Sequence, residues 1–144
     1  QSLVFGIFVF NRFGTFLGYV LAGRRAQQLN GRSVVKRANL VRGILSLLLI
    51  STIVWFSVFT LSLAAIALMV MGVAYGFFLI STLSLSMELI PEGKAGAFNA
   101  LVGLGGALGC LLGTYTAENY GFLILFLVAS IGFFLSYIAF QTSE

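Results

Sequence analysis

The sequence predicts an all-α fold, a polytopic membrane helix bundle with about five transmembrane helices, and three observations carry that prediction. Hydrophobic residues make up 60% of the chain and charged residues 8%, with a mean hydropathy of +1.08, whereas an ordinary soluble domain is roughly a quarter charged. From Gly43 to Met87 there is no charged residue, a run more than twice the roughly 20 residues that cross a bilayer. The charges that do occur are gathered: six of the eight Lys and Arg residues lie between Arg24 and Arg42.

Such a composition cannot clothe a soluble protein, because too few polar side chains remain to face water. The lipid bilayer is therefore the expected partner. A net charge of +4 would raise the question of nucleic acid in a soluble chain. Basic residues confined to a short loop between apolar runs mark the cytoplasmic leaflet instead, and no nucleic-acid motif accompanies them. The lone cysteine, Cys110, excludes an internal disulfide, and its apolar, glycine-rich setting predicts a small buried residue. With no His or Asp and four scattered Glu, there is no acid–base pair, metal cluster or activated nucleophile, so no catalytic residue, metal or cofactor is expected and the chain is not expected to be an enzyme.

Cutting the sequence into segments that span about 30 Å at 1.5 Å per residue gives five helices. The first covers about residues 3–22 and is interrupted only by Asn11 and Arg12. A polar, basic loop follows over 23–42. The uncharged run is then divided into helices at about 43–59 and 63–87, with a tight turn near Thr60 and Ser62. The third helix ends before Pro91, which disfavours helical geometry at Ile90. The fourth covers about 95–117 and is rich in glycine; the fifth covers about 122–140, after a turn at Glu118–Gly121. Because the chain opens on Gln1 with a helix under way by Leu3, it reads as a fragment of a longer protein.

Cytoplasmic loops carry the excess of Lys and Arg. The loops after the first and third helices have them and the turns after the second and fourth have none, which places loop 23–42 and the C-terminus in the cytoplasm, of a plasma (inner) membrane.

Arg12 falls about eleven residues from the end of its helix, roughly 16 Å deep, where a charge costs on the order of 3 kcal/mol to insert. It is expected either to face an interior or watery cavity, meeting an anionic substrate group or a carboxylate from other helices, or to snorkel to the headgroups. Asn11 lies beside it. Gly14 and Gly18 form a GxxxG, and Gly105, Gly109 and Gly113 recur every fourth residue on the fourth helix, so both surfaces allow close helix packing, with bending of the fourth as a second role. Tyr75, Thr82 and Ser86 share a face of the third helix, and Asn99 is the amide of the fourth. These polar residues are the candidates for a substrate pathway, with hydrogen bonds to their own or neighbouring helices as the alternative. The second and fifth helices have almost nothing polar in mid-span and are expected to face lipid.

Two stretches carry a resemblance. GYVLAGRRAQQLNGRSVVKR is similar to a loop motif of the major facilitator superfamily, with Gly23, Arg24, Gly31 and Arg32 in matching sense and no counterpart to its acidic position. PEGKAGAFNALVGLGGALGCLLG is similar to that family's entry into its eleventh helix. The whole chain thus resembles the C-terminal half of such a transporter, from the eighth to the twelfth helix. The resemblance implies transport of a small solute by alternating access, completed by the missing helices of the same transporter, and the charge of Arg12 leaves an anionic substrate as one option. The rival expectation is a non-transporting integral membrane subunit that anchors or assembles a complex through its GxxxG faces.

Overall fold

The computed structural model describes residues 2–25, 30–55, 57–90 and 95–142. Every regular element among them is helical: α1 (Ser2–Arg25), α2 (Gly31–Val54), α3 (Val58–Leu89) and α4 (Ala95–Thr142).

The loop expected over 23–42 is largely helix. Asn30 has extended geometry and its side chain accepts a hydrogen bond from the Arg32 amide, an N-cap that starts α2 at Gly31, twelve residues before the uncharged run begins at Gly43. Charged side chains at the head of a spanning helix do not break it; they reach the headgroups while the backbone stays helical. Residues 26–29, the middle of that predicted loop, lie outside the described residues.

The break between the second and third helices also comes earlier than residues 59–63. Ser57 and Thr60 form a reciprocal capping box at the start of α3, so Thr60 belongs to the first turn of a helix rather than to the turn before it. At the other end Ile90 is extended, with φ −93° and ψ 121°, the conformation that a following proline imposes. Pro91 to Lys94, and with them the second basic loop, lie outside the described residues.

Gly121 interrupts α4 with φ 80° and ψ 169°, a region that only glycine occupies readily. A Cβ on Gly113 would lie 3.8 Å from the side chain of Leu125, although twelve residues of unbroken helix would hold the two about 18 Å apart. The chain therefore reverses at Gly121, and α4 is two limbs, 95–120 and 122–142. Tyr115 and Tyr120 meet edge to face at 6.4 Å beside the reversal. Among the described residues, three of the helices are long and apolar enough to cross a membrane.

The helices pack in a row: α1 on α3, α3 on α2, and α2 on the second limb of α4. Asn11 meets Leu68 and Gly18 meets Val73, so α1 and α3 run parallel. Gly31 meets Leu85 and Arg42 meets Tyr75, so α2 runs antiparallel to α3. The expectation that the second and fifth helices lie outside is reversed. Val35, Ala38, Asn39, Gly43, Ser46 and Leu49 of α2 are buried between its two neighbours, and the fourth predicted helix, the first limb of α4, is the exposed one.

Candidate functional site

The α1–α3 seam is a backbone contact. A Cβ on Gly18 would lie 2.5 Å from the Val73 carbonyl oxygen and 3.1 Å from Cα of Gly76, and one on Gly76 would lie 2.7 Å from the Gly18 carbonyl carbon. Gly14 is likewise closed by the Met69 carbonyl and Gly72 by the Asn11 carbonyl. Two glycine pairs at four-residue spacing thus face each other across parallel helices, which lets the backbones touch. Asn11 donates from Nδ2 to the Leu68 carbonyl at 2.8 Å, and Thr15 donates to the Asn11 carbonyl at 2.9 Å. The amide of Asn11 fastens this seam, and the neighbouring Arg12 lies on the exposed side of α1.

A second, polar seam joins α2 to the second limb of α4. Asn39 donates to the Ser136 hydroxyl at 2.8 Å, and Ser130 donates to the Gly43 carbonyl at 3.3 Å. Lys36 stands over the Tyr137 ring at 5.7 Å. At its centre the Arg42 guanidinium lies 4.2 Å from the centroid of Phe133, 5.3 Å from Tyr75 and 5.4 Å from Phe78. One cation is thereby held by rings from two other helices, and its Nε is buried without an acceptor among the described residues. Cation–π attraction of roughly 0.5–2 kcal/mol per favourable ring offsets part of the cost of withdrawing the charge from water.

Sequence reasoning missed this constellation because it placed residues 39 and 42 in a loop. The available signal was spacing: Asn39, Arg42, Gly43 and Ser46 share one helical face, and Ser130, Phe133, Ser136 and Tyr137 share another.

The predicted substrate-pathway residues do not converge. Tyr75 belongs to the Arg42 cluster. Thr82 has its hydroxyl buried without a partner among the described residues, while Ser86 donates to the Leu83 carbonyl of its own helix at 2.7 Å. Asn99 is exposed on the first limb of α4. Among the loop-motif residues, Gly23 is open, Gly31 packs on Leu85, and Arg24 and Arg32 are exposed. A groove of about 210 Å³ between α2 and α3 is lined by Val34, Arg37, Ala38, Val41, Ala74 and Phe77, and none of the six pathway candidates lines it.

Among the described residues, the first limb of α4 is uncovered over most of its length. All residues from Asn99 to Leu112 are exposed, Leu101 and Leu111 by 70% and 69%. A Cβ on Gly103, Gly105, Gly106 or Gly109 would meet nothing within 4 Å, and Gly113 makes only the contact with Leu125. Cys110, expected to be buried, is exposed here, because it lies in the stretch Asn99–Leu112 that no other described residue covers.

The chain matches the family model described as PUCC protein over residues 8–140. No curated protein and no solved structure matches it. The match overturns the resemblance to the C-terminal half of a major facilitator transporter. Short glycine–arginine and proline–glutamate strings next to small-residue helices do not separate one membrane family from another, and they were its only carriers. Extending over nearly the whole chain, the match shows that this chain belongs to the PUCC protein family.

Proposed function

We propose that the chain is part of a non-transporting integral membrane protein that assists the assembly of a photosynthetic, bacteriochlorophyll-containing complex. The observation that carries this reading is the family match: the family is one of bacteriochlorophyll and photosynthetic complex assembly proteins, which favours complex assembly over small-solute transport. The geometry agrees with it. The glycines of α1 and α3 are closed against each other, whereas Gly103, Gly105, Gly106 and Gly109 of α4 stand open on an apolar, exposed limb. Small residues let another helix approach closely in a medium where apolar burial alone gives no drive to associate. The first limb of α4 is thus the surface that receives helices of the complex under assembly, and the protein acts by contact, without catalysing a reaction.

The basic residues at the head of α2 favour a cytoplasmic position for that end of the helix in this proposal. Deleting the gene in a photosynthetic host and following the pigment complex by its absorbance in isolated membranes tests the reading. The complex is expected to fall several-fold and return on complementation; an unchanged complex level would refute the assembly role.

A further inference from the structure

We infer that the groove between α2 and α3 is a binding site for one anionic phospholipid, with the phosphate on Arg37 and an acyl chain along Val41, Ala74 and Phe77. This is independent of the proposed assembly role. From Ala38 to Val54 α2 carries 17 residues with Arg42 as their one charge, about 25 Å of helix and close to the hydrocarbon thickness. Arg37 therefore stands at the boundary between headgroups and acyl chains, together with Lys36 and Arg32. Of these three cations, Arg37 is the one that lines the groove.

The floor of the groove comes from the small buried residues Ala38 and Ala74, and its walls from Val34, Val41 and Phe77. Val34, Ala38 and Val41 follow helical spacing down one stripe of α2, so the groove runs along the membrane normal, as an acyl chain does. At about 210 Å³ it is smaller than the roughly 300–1,000 Å³ that holds a drug-sized molecule, and it suits a segment of one chain. Arg37 is exposed, and a guanidinium at the membrane surface can take a phosphate in bidentate geometry. A basic residue over an apolar groove between spanning helices is the chemistry that selects an anionic over a zwitterionic lipid.

Native mass spectrometry of the purified full-length protein, titrated with phosphatidylglycerol or phosphatidylcholine of the same acyl chains, tests this. Phosphatidylglycerol is expected to bind more tightly. Arg37→Gln should weaken it about fivefold, the equivalent of ~1 kcal/mol, while Arg32→Gln leaves it nearly unchanged. Phe77→Trp, in a background where Trp55 and every other Trp of the full-length protein is replaced by Phe, should then be quenched by chain-brominated phosphatidylglycerol and less by the matching phosphatidylcholine. Equal losses at Arg32 and Arg37 would mean diffuse surface attraction and overturn the site. Full competition by inorganic phosphate, no headgroup preference, or no quenching at position 77 would each overturn it as well.

Discussion

Arg42 and Phe133 face each other across helices that the sequence separates by ninety residues, and their contact at 4.2 Å makes a measurable claim. A double-mutant cycle with Arg42→Leu and Phe133→Leu, read by unfolding in mixed micelles, should give a coupling of roughly 0.5–2 kcal/mol; additive effects would mean the ring does not hold the cation. Such a pair is hard to read from a sequence, because an arginine near an apolar run looks like the end of a loop. The glycines are different. The four-residue spacing of Gly14 and Gly18 is visible in the chain itself, but the identity of the surface they meet, Gly72 and Gly76, depends on the order in which helices pack.

That difference sets up a contrast in sign. Alanine is favoured over glycine within a helix by up to about 1 kcal/mol, yet at Gly18 its Cβ would lie 2.5 Å from the Val73 carbonyl. Gly18→Ala is therefore expected to destabilise the fold by roughly 1–3 kcal/mol through overpacking. Gly105→Ala, where a Cβ meets nothing within 4 Å, should leave stability unchanged or raised. The same unfolding assay checks both, and a stabilising Gly18→Ala would remove the close approach from the account.

Among the elements, α4 shows how composition and geometry divide the information. Its length and hydropathy announce membrane helix, and the stretch Asn99–Thr142, 44 residues long, would reach about 66 Å if straight, twice a bilayer. A reversal is needed, and Gly121 is where the backbone takes the glycine-only conformation. Gly121→Ala is expected to cost roughly 1–3 kcal/mol and to lengthen the distance between spin labels at positions 113 and 125. An unchanged distance would show that the reversal does not depend on that residue. By contrast α2 defeats a reading by charge: Asn30 caps it and its cations ride on helix, so its true start was invisible to a rule that counts charged residues as loop. Its burial followed from the same error, since Asn39 and Ser46 become a seam only once they are known to share a helix.

For the whole molecule, the helical membrane class was legible in composition alone, because 8% charged residues leave no other solution. The family was not. Similar short motifs led towards a transporter, and one scaffold hosts many functions, so only a match over nearly the full chain assigns it. The row of helices has one consequence for function: it closes the α1–α3 and α2–α4 contacts and leaves the 95–120 limb outward, with its glycines open.

In the proposed assembly role, this limb is the surface that meets the complex. Gly105→Leu with Gly109→Leu, placed in the full-length gene of a photosynthetic host, puts this to the test when both the abundance of the variant and the pigment complex in its membranes are measured. A variant present at normal abundance with the complex reduced several-fold is the expected result. Normal abundance with an undiminished complex would rule out this limb as the contact surface.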